Sequence, residues 1–260
     1  MDGSSEASIP RYVGAAFVAQ FITSFAAGLL WLSVSSGDVD DVLAAAGADA
    51  TRVRVVVVLE LATSVGIIVL ASLLYVALRD TERWAATVAF ALWVAEATVL
   101  AVSMLGLYAL LDLGGAGVGT ASAASDTDAA LGSLALGLRE HGGDIAMLFF
   151  CAGALLWYWL FVRTRFVPRW LGVWGLVSVA LVCAGTLLNV WDRDLQPPVV
   201  IYAAYVPFEL VVGIWLLVKG SPGWPATVDA TRSEPVQPSA QPSADATGVR
   251  AGGTTHGSVG

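Results

Sequence analysis

Long apolar runs separated by short polar segments dominate the chain between residues 11 and 220. A helix needs roughly 20 apolar residues to cross about 30 Å of hydrocarbon. Six runs reach that length, and none alternates between polar and apolar positions, which excludes membrane strands. We therefore predict an all-α, polytopic membrane helix bundle. Its six transmembrane helices are predicted over residues 11–34, 54–78, 84–111, 145–162, 170–190 and 199–218.

The longest segment between two predicted spans covers residues 112–140, which we assign to an external loop. It begins with a stretch rich in Gly, Ala and Ser, which is typical of loops. Four apolar residues within it recur at helical spacing: Leu131, Leu134, Ala135 and Leu138. This spacing predicts a short amphipathic helix that either lies on the membrane surface or caps the bundle.

The segments at the two ends of the chain lack long apolar runs. Residues 1–10 form a short N-terminal segment, and residues 221–260 are rich in Pro, Ser, Ala, Thr and Gly, which predicts a disordered tail. Basic residues fall together on one side of the predicted topology: Arg11, Arg79, Arg83, Arg163, Arg165, Arg169 and Lys219. Because basic residues are enriched in cytoplasmic loops, we predict a cell-membrane protein with both termini in the cytoplasm.

Composition supports the membrane prediction and excludes two other classes. Only 13% of the residues are charged, about half the share found in soluble domains, and 57% are hydrophobic. The net charge of -8 and the single lysine leave no basic patch that could bind nucleic acid. Acidic residues concentrate outside the apolar runs, which would favour solubility in a high-salt organism, bacterial or archaeal.

Three glutamates lie inside predicted spans, namely Glu60, Glu96 and Glu209. A charged side chain at mid-membrane costs roughly 2.5–3.5 kcal/mol on insertion scales. The six spans place no Lys, Arg or His near their middles that could pair with these acids. We therefore expect the three side chains to face the interior of the bundle. There they would be protonated, or neutralised by a bound proton, metal cation or cationic solute.

Helical spacing surrounds these acids with other polar side chains. Thr63 and Ser64 follow Glu60 by three and four residues, and Tyr205 precedes Glu209 by four. Spans 1 and 5 also carry polar faces, so the simplest packing brings all of them to one interior cluster. Its predicted members are Glu60, Glu96, Glu209, Tyr205, Gln20 and Asn189. Pro207 predicts a kink in the sixth span beside Glu209, and kinked helices at the midplane are where transporters build sites.

A second set of candidates precedes span 4 and consists of Arg139, His141 and Asp144. His141 and Asp144 are spaced to share a helix face, but the sequence places too few further ligands nearby for a metal site. The alternative is a solvated helix start at which Asp144 interacts favourably with the helix dipole. Arg139 also has the option of reaching Glu60. We predict neither a metal nor a cofactor.

Four stretches resemble a known family: VVLELATSVGIIVLASLLY, AEATVLAVSMLGLYALL, RTRFVPRWLGVWGLVSVALVCAGTLL and VPFELVVGIWLLVKG. They are similar to the bacterial and archaeal membrane proteins grouped as domain of unknown function 4386. The most specific blocks are Pro168–Leu176 and Trp215–Gly220, and the similarity spans about residues 11–220. The resemblance implies a six-helix membrane protein with no assigned activity. The family often carries arginine where this chain has Trp93, so a charge-pair mechanism does not transfer.

Three functional hypotheses fit the sequence. The first is a proton-coupled carrier for a small solute or ion that uses the membrane carboxylates. The second is a non-catalytic membrane protein, such as a sensor or assembly partner, whose acids join helices. The third is an enzyme that acts on lipid or isoprenoid, against which the missing nucleophile, metal and nucleotide motifs argue. The expected partners are the lipid bilayer and a small solute or cation, and no oligomeric state is predicted.

Overall fold

The computed structural model describes residues 8–35, 37–115, 126–192 and 203–222. These residues form seven α-helices and no strand, which confirms the all-helical class. The helices are α1 (Ile9–Leu32), α2 (Val39–Ala48), α3 (Ala50–Leu78), α4 (Arg83–Gly115), α5 (Asp126–Thr164), α6 (Arg169–Trp191) and α7 (Val206–Lys219).

Five of the described helices are long and apolar enough to cross a membrane, namely α1, α3, α4, α5 and α6. They correspond to the first five predicted spans. Helix α7 has only 14 residues, and the predicted sixth span begins at residues 199–202, outside the described part of the chain. The count of six spans and the cytoplasmic position of both termini therefore stay predictions, as does the disordered tail, whose residues 223–260 also lie outside it.

Helix α5 is much longer than the span predicted over residues 145–162. It has 39 residues and includes residues 126–140, which we had assigned to the external loop. The predicted amphipathic helix exists, but it is the first part of α5 and not a separate element. Two contacts explain why this stretch folds onto the bundle: a Cβ on Gly132 would lie 2.8 Å from the Leu43 side chain, and Ala135 is buried.

Helix α2 is an element that the hydropathy pattern did not predict. Asp38 begins it with a capping box, in which its carboxylate accepts from the backbone N–H of Asp41 and the Asp41 carboxylate accepts from that of Asp38. Val42, Leu43 and Ala46 are buried against the surrounding helices. Helix α2, which has 10 residues, packs on the last part of α4 and the first part of α5, and we call this end of the bundle the α2 end.

Helices α1 and α3 to α7 form a closed ring. Helix α1 packs on α3, α3 on α4, α4 on α5 and α5 on α6, and α7 contacts both α6 and α1. Aromatic side chains fill much of the interior, including Trp157, Tyr158 and Phe161 of α5 and Phe208 of α7, all fully buried. The rings of Tyr158 and Phe208 meet edge to face at 4.8 Å.

The ring closes through a backbone-to-backbone contact between its first and last helices. A Cβ added to Gly14 of α1 would lie 2.6 Å from the backbone nitrogen of Leu217 and 2.7 Å from the carbonyl oxygen of Gly213. Small residues at such crossings let membrane helices approach closely. Gly14 and Gly213 therefore determine how tightly α7 docks on α1.

We expect Gly14→Ala to lower the free energy of unfolding by about 1–3 kcal/mol, because backbone atoms of α7 would have to move. Gly28→Ala is the matched control in the same helix, since a Cβ there meets nothing within 4 Å. Thermal unfolding of both variants in detergent measures the difference. Equal melting temperatures for the two variants would contradict the tight α1–α7 contact.

Candidate functional site

A break in the backbone precedes Glu209. Residues 204–205 form a turn, and α7 begins only at Val206. The predicted kink of the sixth span beside Glu209 stays a prediction, because residues 199–202 of that span lie outside the described residues. The break falls directly before Pro207, which lies in the first turn of α7. Proline is favoured there, since the N–H groups of the first turn have no partner within the helix in any case.

The break leaves the carbonyl oxygen of Ala204 outside the helical ladder, and α6 satisfies it. The indole Nε1 of Trp174 and the hydroxyl of Ser178 both donate to this oxygen, at 3.2 Å each. Irregular backbone at membrane depth is tolerated only where protein or a cavity satisfies its polar groups. Two side chains of α6 thus hold the turn that presents Tyr205 and Glu209 to the interior.

Glu209 ends a short chain of hydroxyl groups. The Tyr205 hydroxyl donates to Glu209 Oε1 at 2.8 Å, and the Tyr158 hydroxyl lies 2.8 Å from that of Tyr205. When Glu209 is ionised, the single proton of Tyr205 points to it, and Tyr158 is then the donor in the second bond. Glu209 also lies in the first turn of α7, where the helix dipole favours a negative charge. The Tyr205 hydroxyl and the first turn of α7 thus both stabilise this carboxyl group.

Glu60 is paired with Arg139. The Nη2 atom of Arg139 lies 2.8 Å from Glu60 Oε1, and the two side chains are only 14% and 10% exposed. The guanidinium also lies 5.7 Å from the centre of the Trp31 ring. The expectation that Glu60 has no basic partner is thus wrong. The partner comes from the first part of α5, and the contact of Arg139 with Glu60 named above as an option is present.

Glu96 differs from the other two acids. Its residue exposure is 7%, and among the described residues its Oε2 atom has no hydrogen-bond partner. Gln20, 8% exposed, likewise has an amide oxygen without a described partner. Glu96 and Glu209 line the same cavity, where a negative charge on Glu209 disfavours one on Glu96. Glu96 is therefore a buried acid with a carboxylate oxygen that no described residue satisfies.

One cavity of about 780 Å³ joins these groups. The six residues of the predicted interior cluster all line it: Glu60, Glu96, Glu209, Tyr205, Gln20 and Asn189. Arg139 and Asp144 of the second candidate set line it as well. Sequence reasoning treated the two sets as separate, whereas the structure brings them to one space that extends toward the α2 end of the bundle.

Two polar contacts fix the walls of the cavity. Asn189 of α6 donates to Asp144 of α5 at 3.0 Å, which joins two helices at the cavity rim. The hydroxyl groups of Thr63 and Thr23 lie 2.8 Å apart and join α3 to α1. His141, the third member of the second set, is exposed and is not among the cavity-lining residues.

Two neighbours of the cluster were not predicted from the sequence. Phe150 lines the cavity, and Tyr158 supports Glu209 through Tyr205. Spacing within one helix cannot reveal Tyr158, because its partner lies on another helix. Thr186, on the polar face of the predicted fifth span, and Glu140, beside Arg139, also line the cavity.

Trp93 occupies the position at which the resembling family often carries arginine. It is 2% exposed, its Nε1 donates to the carbonyl oxygen of Phe150 at 3.2 Å, and its ring stacks on Phe150 at 6.1 Å. A Cβ on Gly153 would lie 2.8 Å from the same indole nitrogen. Trp93 therefore packs α4 against α5 and brings no charge to the site.

The comparisons with known proteins give one result. A family model described as Domain of unknown function (DUF4386) matches residues 12–220, which includes nearly all of the described helices. This confirms the family that the sequence motifs resemble. No curated protein and no solved structure matches the chain. The family description names no activity, so a function has to be argued from the geometry of the cavity.

Proposed function

We propose that this chain, which belongs to the family described as Domain of unknown function (DUF4386), is a membrane carrier that couples a small solute to protons. The observation that carries the proposal is Glu96. It is a buried acid without a described hydrogen-bond partner at Oε2, and it lines a cavity together with two other membrane glutamates. A site of this size is in the range that small ligands occupy, roughly 300–1,000 Å³.

The three acids differ in how the fold offsets the cost of burying them. Intramembrane carboxylates are expensive and in transporters commonly serve as proton or ion sites. Arg139 satisfies Glu60, and Tyr205 satisfies one oxygen of Glu209. No comparable partner of Glu96 is found among the described residues, so its cost is not offset by a structural bond. Binding of a proton or a solute is the role that would offset it.

Coupling follows from the electrostatic interaction of Glu96 with Glu209 in one cavity. A negative charge on one carboxyl group favours a proton on the other, and a positively charged solute removes that preference. A solute that brings positive charge or donors to the pair therefore releases a proton, and loss of the solute takes one up. This linkage is reciprocal by thermodynamic necessity, which is what a coupled carrier requires.

The second candidate is a non-catalytic membrane protein, and the bonds of two acids favour it. The Glu60–Arg139 pair joins α3 to α5, and the hydroxyl chain joins Tyr158 of α5 to the turn before α7. Contacts of this kind hold membrane helices together at about 0.6 kcal/mol each. This reading accounts for Glu60 and Glu209 but leaves Glu96 without a purpose.

Reconstitution of the full chain into liposomes that enclose a pH-sensitive dye tests the proposal. Pools of amines, amino acids, carboxylates and sugars are added outside, and proton movement is recorded. We expect one pool to drive proton movement in liposomes with the wild type. The rate with Glu96→Gln should be at least tenfold lower. Glu82→Gln is the matched control, since Glu82 pairs with Arg163 at the opposite end of the bundle.

Two results would contradict the carrier. The first is proton movement that is no faster with any pool than in empty liposomes, with protein that is folded by its melting curve. The second is a Glu96→Gln variant that is as fast as the Glu82→Gln control. Either result would favour the non-catalytic reading, in which the membrane acids only join helices.

A further inference from the structure

We propose that the solute is a small organic cation with N–H donors, such as a primary ammonium compound, bound beside Glu96 and Glu209. This inference rests on the proposed function, because it names the class of solute for the same cavity. Three properties of the lining lead to it: its charge, the kind of hydrogen-bonding atom it leaves without a partner, and its size and aromatic content.

The charge of the lining is strongly one-sided. Acidic side chains reach the cavity from four helices, whereas Arg139 is the one basic residue among the described lining residues. The acids are Glu60, Glu96, Glu140, Asp144 and Glu209. Arg139 is bound to Glu60 at 2.8 Å, so its charge is compensated within the protein. A cavity lined by one sign of charge raises the local concentration of the opposite sign, which here means cations.

Two buried acceptors and one buried donor of the lining have no hydrogen-bond partner. Among the described lining residues these atoms are Glu96 Oε2, Gln20 Oε1 and Arg139 Nε, and the last belongs to a guanidinium that is already paired with Glu60. An acceptor left without a donor in a buried site has lost its hydrogen bonds to water without replacement, which is unfavourable. A ligand that supplies N–H donors removes this cost, whereas a quaternary ammonium ion of equal charge does not. The lining therefore favours a protonated amine over a fully alkylated one.

Size and aromatic content favour an organic cation over a bare ion. The described residues contain no group of three or more His, Cys, Asp or Glu side chains placed to hold a metal. The volume of about 780 Å³ far exceeds that of an inorganic ion. Phe150 and Tyr205 both line the cavity, with their rings edge to face at 5.3 Å. Aromatic faces attract organic cations and also pack against their apolar parts.

Binding of three probes of similar shape to the full chain in detergent tests this inference. The probes are 2-phenylethylammonium, its N,N,N-trimethyl derivative and neutral 2-phenylethanol, measured by calorimetry at constant ionic strength. We expect the primary ammonium to bind at least tenfold more tightly than either of the other two. Glu96→Gln should weaken its binding at least tenfold, and Glu82→Gln should leave it unchanged.

A second variant keeps the test independent of the folding of Glu96→Gln. Gln20→Leu retains all the carboxyl groups and removes only the amide. We therefore expect it to weaken binding of the primary ammonium by about threefold to tenfold and binding of the trimethyl derivative much less. Four results would overturn the inference. The trimethyl derivative or the alcohol binds as tightly as the primary ammonium, the primary ammonium does not bind, or neither variant weakens its binding.

This inference and the carrier proposal fail in different ways. Calorimetry in detergent requires no gradient and no transport. If the primary ammonium binds but no solute drives protons through liposomes, the class of ligand is right and the carrier is wrong. If a neutral or anionic solute drives protons and the primary ammonium does not bind, the carrier is right and the class of ligand is wrong.

Discussion

Replacement of Arg139 by methionine is expected to lower the free energy of unfolding by about 3–5 kcal/mol. The substitution leaves Glu60, 8% exposed, without its cation, and breaking one side of a buried pair strands an uncompensated charge. Removing both charges avoids that penalty. We therefore expect the double variant Glu60→Gln with Arg139→Met to recover most of the lost stability. Denaturant titration of the purified protein in detergent measures all three proteins.

The pair at the opposite end of the bundle provides the control for this experiment. Arg163 lies 2.6 Å from Glu82, but the arginine side chain is 53% exposed. Exposed pairs contribute about 0–1 kcal/mol, so Arg163→Met should change stability by no more than that. An Arg139→Met variant as stable as Arg163→Met, or a double variant as unstable as the single one, would show that burial of the Glu60–Arg139 pair is not what holds this end together.

Replacement of Glu96 by methionine is expected to have the opposite effect on stability and to abolish coupled transport. Methionine has a similar length and no polar atom to leave unsatisfied, so we expect the free energy of unfolding to rise by about 1–3 kcal/mol. Solute-driven proton movement should fall to the level of empty liposomes. A substitution that raises stability and abolishes function is typical of a functional site, where the fold tolerates an unfavourable residue because activity requires it.

Glu209→Met separates this explanation from a general benefit of removing membrane acids. It deletes the acceptor of the Tyr205 hydroxyl, so we expect no gain in stability. The melting temperatures of the two variants are to be compared directly. A Glu96→Met variant that melts below the wild type would mean that Glu96 makes structural bonds, and the argument for a binding site at this position would fail.

Hydropathy predicted the parts of the fold that depend on length and apolar content. The five long helices follow from runs that can satisfy their backbone only as helices in lipid. Helix α2 and the first part of α5 were not assigned to the bundle because both are partly polar. Their positions depend on contacts with other elements, such as the close approach of Gly47 to Gly114, which no local pattern encodes.

The interior cluster was predictable because acidic residues in membrane helices almost always face the bundle interior or a cavity. The penalty for exposing Glu60, Glu96 and Glu209 to lipid was enough to infer that they share one interior space, and they line one cavity. Their individual states were not predictable. Arg139 pairs with Glu60 although the two residues are 79 positions apart in the sequence. The backbone break before α7 depends on Pro207 and on the hydrogen-bond donors of α6 together. Spacing within one helix reveals neither.

The contact between Gly14 of α1 and Gly213 of α7 also sets the order of events during synthesis. Roughly 170 residues separate Leu32 from Val206, and at about 5–20 residues per second the ribosome needs roughly 10 to 35 seconds to make them. During that interval the face of α1 around Gly14 faces lipid or whatever holds nascent helices. The cavity is therefore complete only when the last helix arrives, and a chain that stops before α7 has neither Glu209 nor a closed ring.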